Sequence, residues 1–195
     1  MSGQTPSQTV GPYFAYALTA PQYGYPHDGI ASDRLADDIS PGERIRIEGR
    51  VLDGAGAPVS DAMIEIWQAD AEGRYAHPAD PRGSNSGFRG FGRFGTGTDP
   101  ESRFVFHTVK PGAVDGLQAP HITVVVFMRG MLSHAYTRLY FSDEAAANAR
   151  DPVLLAVPEE RRATLIAARE ETGAGPLYRF DIVMQGDNET VFFDV

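Results

Sequence analysis

The chain has 195 residues, a formal net charge of -9 and a hydrophobic fraction of 42%. That is enough apolar material for a real core, and the wrong charge for gathering nucleic acid or anionic membrane. With no cysteine, disulfides, thiolate metal sites and cysteine nucleophiles are excluded. Glycine (21), proline (14), tyrosine (8) and phenylalanine (11) are all plentiful, which favours short strands joined by turns. Lys110 is the only lysine among the cations. The first eight residues are polar and lack a signal-peptide core. The longest apolar run, 122–128, is too short to span a bilayer, so a cytoplasmic location is expected.

In chain order, residues 1–30, expected to form an extended N-terminal segment, carry Tyr13, Phe14, Tyr16, Tyr23 and Tyr25 without a clear period. Two readings stand equal: the segment packs across its own domain, or against another chain. From Glu43, Ile45, Ile47, Gly49 and Val51 alternate with Arg44, Arg46, Glu48 and Arg50, which predicts a half-buried strand. Asp53-Gly54-Ala55-Gly56 predicts a turn. Met63–Gln68 is a second strand, containing the single tryptophan, Trp67. Residues 76–92 form a long loop rich in Gly, Pro, Ser and Asn. Arg103–Val109 is a strand with Phe104 and Phe106 on one face. His121–Met128 is almost continuously apolar, which predicts a central strand covered on both faces, and Ala135–Phe141 is a further strand. Ser142 caps a short helix running to Arg150 and stopped by Pro152. Pro158 opens a second helix over 158–170, ended by Gly173. Tyr178–Met184 and Thr190–Phe193 close the chain as strands. At least seven closely spaced strands in one domain, 1–195, predict an all-β sandwich over 43–195 with one or two short helices near the C-terminal third.

The five histidines are His27, His77, His107, His121 and His134. None has the spacing of a local chelate. No nucleophile elbow is present. Gly90-Phe91-Gly92-Arg93-Phe94-Gly95 sits in strand and loop context, which argues against phosphate binding. The informative element is the strand beginning at His121. Alternation puts His121, Thr123, Val125, Phe127 and Arg129 on one face. Polar residues at both ends of an apolar strand mean either that both ends reach solvent or that the face borders a pocket.

Seven segments in order then carry a resemblance. They are Gln8-Thr9-Val10-Gly11-Pro12-Tyr13, Gly49-Arg50-Val51-Leu52-Asp53-Gly54, Glu65-Ile66-Trp67-Gln68-Ala69-Asp70, Thr108-Val109-Lys110-Pro111-Gly112, Ala119-Pro120-His121-Ile122, Thr137-Arg138-Leu139-Tyr140-Phe141 and Glu189-Thr190-Val191-Phe192-Phe193-Asp194. With these the chain resembles the intradiol ring-cleaving dioxygenases nearly end to end. The resemblance implies a β-sandwich and, in the catalytic chain of such enzymes, ferric iron held by two tyrosines and two histidines.

This chain departs from that ligand pattern. The family's His-x-His is His121-Ile122-Thr123 here. The tyrosine after the Pro-Gly turn is replaced by Ala113-Val114. The other tyrosine's loop is Asp80-Pro81-Arg82-Gly83, and Tyr75 looks like a structural residue of that loop. His121 is therefore expected to be a vestigial, metal-free position, and no metal or catalytic residue is expected on this chain alone. The resemblance implies an iron-free alpha chain of a hetero-oligomer, whose partner beta chain has the same fold and carries Fe(3+). It places Thr9, Gly11, Pro12, Tyr13 and Arg129 at a shared pocket for a catechol carboxylate, 3,4-dihydroxybenzoate. Two other readings are a self-sufficient iron enzyme using His77, His107 or Tyr75, and a non-enzymatic β-sandwich binding module.

Overall fold

The alternating segment from residue 44 is strand β1 (Arg44–Leu52) in the computed structural model, which describes residues 8–9, 11–26, 29–84 and 87–195, with only the backbone for Pro12 and Tyr13. Ile45, Ile47 and Val51 are buried. Gly49 shares their face by alternation, and a Cβ there would lie 1.8 Å from the Phe180 carbonyl oxygen, so only glycine permits that approach. The turn after β1 forms as the sequence predicts. The Asp53 carboxylate accepts from the Ala55 and Ala57 amides at 2.9 Å each, and Gly56 has φ +77°.

The remaining strands are β2 (Met63–Gln68), β3 (Phe91–Gly95), β4 (Arg103–Val109), β5 (His121–Phe127), β6 (Ala135–Phe141), β7 (Ile166–Thr172), β8 (Gly175–Arg179) and β9 (Ile182–Val183). They form one sheet in the order β3-β2-β5-β6-β7-β8-β1-β4, with β9 added beside β1. β7 runs parallel to β6 and antiparallel to β8, so the sheet passes through it from one layer to the other. Ile64, Ile66, Ile122, Val124, Val126 and Leu139 of one layer share a core with Ile45, Ile47, Phe104, Phe106 and Tyr178 of the other. Gln68, fully buried, pins the layers at one edge. Its amide nitrogen donates to Val109 O at 2.9 Å, and its oxygen accepts from Thr108 Oγ1 at 3.0 Å. A buried amide with both ends paired locates the layers without leaving an unmet polar group.

Several expected elements are corrected. Helix α1 (Pro12–Leu18) and a 3-10 turn at Ala20–Tyr23 lie in the N-terminal segment that the sequence left extended. Part of this segment packs on its own sheet: Gln22 bonds both the amide and the carbonyl of Gly95, at 2.8 and 3.0 Å. The glycine-spaced stretch at 91–95 is β3, paired with β2. The predicted helix 158–170 is a 3-10 turn at Glu159–Leu165 followed by β7. Ala, Arg and Glu favour helix locally, but β7 has strand partners on both edges, and burial of Ala167 overrides propensity.

The helix expected over 142–150 is a 3-10 turn, Ser142–Glu144, running into α2 (Ala145–Asn148). Pro152 opens α3 (Pro152–Ala156), because proline is suited to a first helical position. The strand expected over 178–184 is broken between β8 and β9, and residues 190–193 keep only a bridge between Phe193 and Tyr136.

Asp151, fully buried, caps α3 by accepting from the Val153 and Leu154 amides at 2.9 Å. It also accepts from the Ala119 amide at 2.8 Å and the Tyr140 hydroxyl at 3.2 Å. Asp151→Ala removes the cap and strands buried donors. It is expected to destabilise the fold by about 3 kcal/mol in denaturant unfolding. A loss within about 0.5 kcal/mol, the range of a neutral surface change, would contradict the role given to this carboxylate.

Candidate functional site

Strand β5 presents two faces of different character. Ile122, Val124 and Val126 point into the core and are 0%, 2% and 0% exposed. Thr123, Val125 and Phe127 on the other face are only half-buried. The expectation of cover on both faces is thus corrected, since the second layer lies on one side of β5 only. His121 opens the half-buried face and Arg129 lies just beyond its far end. An extended run of that length spans roughly 25 Å, so the two residues belong to different sites.

His121 is buried, with its ring 5.8 Å from that of Tyr140. Its Nδ1 lies 2.8 Å from the Ala119 carbonyl oxygen. A carbonyl only accepts, so Nδ1 carries the proton and Nε2 keeps its lone pair. Arg138, across the strand pair from Thr123, donates through Nη1 to Gln118 Oε1 at 2.8 Å and to the Tyr140 hydroxyl at 3.3 Å. The loops that lack the family tyrosines meet here too. Arg82 donates to the Val114 carbonyl at 3.2 Å and binds the Asp80 carboxylate at 2.7 Å. Beside them lies a pocket of about 630 Å³, lined by Trp67, Tyr75, His77 and Arg82. The Trp67 and Tyr75 rings stack in it, 5.7 Å apart.

Burial decides the electrostatics of this end. It raises the Tyr140 hydroxyl to about 12 and pushes the Tyr75 hydroxyl up as well. It also lowers His121, and the Arg138 charge adds to that effect. The phenols are therefore neutral and the imidazole is uncharged. A ferric ion needs hard anionic donors. The carboxylates at this end are already engaged, Asp80 by Arg82 and Asp151 by amides and the Tyr140 hydroxyl, and His77 Nδ1 accepts from the Ala79 amide, so the side chains present do not gather a donor set that fits ferric iron. Among the described residues no cluster of three His, Asp or Glu side chains is placed to hold a metal. His107 lies in the other layer, on β4 opposite Arg46, and His134 meets Tyr136 edge to face at 4.6 Å. His27 lies outside the described residues.

The far end of β5 gathers the other candidates. Thr9 is exposed, and its hydroxyl accepts from the Gly130 amide at 3.2 Å. Gly11 caps α1 and lines a pocket of about 240 Å³ with Tyr16, Tyr23, Asp61 and Met63. Arg129 is paired through Nε with Asp61. Pro12 and Tyr13 begin α1, and their side chains lie outside the described residues. Phe14 and Tyr16 on the same helix are 43% and 47% exposed. Thr9, Gly11 and Arg129 therefore share one end of the sheet, apart from His121. Asp61 sits in no motif, and Arg138 lies in the segment 137–141 without any mark of a site role; the place of each follows only from strand register.

A family model described as dioxygenase matches residues 11–186. The protocatechuate 3,4-dioxygenase alpha chain of Burkholderia cepacia is 56% identical over 193 residues, covering 98% of this chain and 98% of that one. The beta chain of the enzyme from Burkholderia cepacia is 38% identical over 189 residues, covering 88% of this chain and 79% of that one. Among solved structures, the dioxygenase domain of a dioxygenase and carbohydrate-binding fusion from Streptomyces sp. SirexAA-E has a TM-score of 0.59 at 23% identity. That match covers 97% of this chain and 100% of that one, and it supports the fold. No helix among the described residues is long and apolar enough to cross a membrane.

The lowered His121 value has a consequence for stability. Its folded value lies below the unfolded value near 6.5, so protonation favours the unfolded chain. The contribution is complete above about pH 6.5 and is lost as pH falls through the folded value. His107, also lowered by burial, acts in the same window. The melting temperature is expected to drop between pH 7 and 5, and less steeply in His121→Gln. Identical slopes in the two proteins would contradict a neutral buried imidazole.

Proposed function

Because the chain belongs to the intradiol ring-cleavage dioxygenase family, we propose that it works as the iron-free alpha chain of a two-chain protocatechuate 3,4-dioxygenase. That enzyme uses dioxygen to open 3,4-dihydroxybenzoate between its hydroxyl-bearing carbons, giving 3-carboxy-cis,cis-muconate. The observation that carries this reading is the make-up of the His121 end. The positions where the family's ligands fall converge there, yet they present threonine, alanine and arginine in place of imidazole and phenolate. Similarity to an alpha chain over 98% of both lengths supports the same role. In this reading Fe(3+) and its redox chemistry belong to a beta chain of the same fold.

This chain's own contribution is binding and enclosure. Thr9, Gly11, Pro12, Tyr13 and Arg129 line the shared pocket from this side. Arg129 receives the substrate carboxylate on a protein of net charge -9, where a local cation is needed to hold an anion. The exposed rings of Phe14 and Tyr16 give α1 an apolar surface suited to a partner chain and to the exclusion of water. The self-sufficient alternative is disfavoured, because Tyr75 and His77 lie beside the pocket near His121 while His107 sits in the other layer. The plain binding-module reading has no account of the converging ligand positions.

Expression of the chain alone and with a beta chain tests the proposal. Ferric colour and cleavage of 3,4-dihydroxybenzoate are expected only from the pair, and either one in the lone chain would overturn it. In the assembled enzyme, Arg129→Ala is expected to raise KM for 3,4-dihydroxybenzoate about tenfold, the scale of one charge-assisted hydrogen bond. KM for unsubstituted catechol should change little. Equal changes for both would show that Arg129 does not meet the carboxylate.

A further inference from the structure

We infer that Asp61 is a positioning residue that holds Arg129 by its Nε edge, so that the terminal guanidinium edge faces the substrate carboxylate. This rests on the reading of Arg129 given above and adds a second residue to it. Strand register brings the two residues together. β2 and β5 pair antiparallel, with Met63 opposite Phe127 and Glu65 opposite Val125. Continued one alternation outward, the same register sets Asp61 opposite Arg129. Their pairing is the next cross-strand contact on the half-buried face.

Arg129 is restrained from the backbone side as well. It stands in the turn that follows β5, closed by a hydrogen bond from the Met131 amide to the Met128 carbonyl at 3.4 Å. Gly130 takes φ +87° in that turn, a conformation suited to glycine. Its amide donates to Thr9 Oγ1 at 3.2 Å, which ties the turn to the N-terminal segment. The Asp61 carboxylate then engages Nε. A guanidinium has two useful edges, and a carboxylate matches the pair of terminal nitrogens best. Among the described residues no protein acceptor is seen on Nη1 or Nη2 of Arg129. The side chain is 65% exposed, against 27% for Asp61. The Nε edge is thus engaged by Asp61, while the terminal nitrogens of an exposed side chain are left for another acceptor. Asp61 also borders the pocket lined by Gly11, Tyr16 and Tyr23, so the anchor and the N-terminal segment meet at the same place.

An anchoring aspartate and a merely competing one predict opposite results. If Asp61 orients Arg129, losing it frees the guanidinium to swing and weakens capture of a carboxylate. If Asp61 only competes for the cation, losing it strengthens capture. The test is steady-state kinetics on the assembled two-chain enzyme, with 3,4-dihydroxybenzoate and unsubstituted catechol as substrates. Asp61→Ala is expected to raise KM for the carboxylated substrate about fivefold, the size of a lost orientation rather than a lost contact. Its kcat, and both constants for catechol, should stay within about twofold. Asp61→Asn keeps an oxygen that accepts from Nε, so its KM is expected to lie between wild type and Asp61→Ala. A fall in KM for 3,4-dihydroxybenzoate in either variant would overturn the inference, as would equal rises for both substrates. Arg129→Ala separates the two levels. Discrimination lost in Arg129→Ala but intact in Asp61→Ala defeats the anchor alone, whereas no effect in Arg129→Ala defeats the substrate reading and the anchor together.

Discussion

The strict alternation of β5 is the constraint on which the rest depends. Ile122, Val124 and Val126 enter the core shared by both layers, and burying side chains of that size contributes about 1.5–3 kcal/mol each. A slip of one residue would carry His121, Thr123 and Val125 inward and turn the core residues out, so the register is strongly specified. The parity that secures the core therefore also fixes which residues emerge on the half-buried face. It places an imidazole at one end of that face and a guanidinium at the other, roughly 25 Å apart. The two ends have separate chemical fates because no shorter path joins them along the strand.

At the His121 end hydrogen bonds supply the order. Asp151 gathers the Ala119 amide, the Tyr140 hydroxyl and the first turn of α3. Tyr140 in turn accepts from Arg138, which reaches Gln118. Arg82 closes the neighbouring loops by binding Asp80, Gly73 and Val114. Charge is satisfied within this web, and burial keeps its phenols protonated. The site is thereby well ordered and unsuited to a highly charged cation.

Much of this was legible in the sequence, for reasons that can be stated residue by residue. β1, β2, β4 and β6 form where the sequence places them, and β5 does too, although only one of its faces is fully covered. Two elements escaped because tertiary context outweighs local preference. The helix-favouring run at 166–172 is a strand because it bridges the layers, and the glycines of 91–95 sit in a strand whose partner is remote in sequence. Proline gave opposite signals at similar positions. Pro152 opens a helix because Asp151 caps it, a feature visible only once Asp151 is known to be buried. Of the candidate site, His121, Thr9, Gly11 and Arg129 could be named from motifs and alternation. Asp61 and Arg138 could not, since each gains its meaning from the residue opposite it on a neighbouring strand.

An iron-free chain and a self-sufficient one differ in where the ferric ion sits. Diffraction at the iron absorption edge, from crystals of the assembled two-chain enzyme, tests this most directly by locating each iron relative to the side chains. The account predicts one anomalous peak per pair of chains, ligated by the beta chain, and none in coordination range of His121 Nε2. A peak bound to His121 would contradict it.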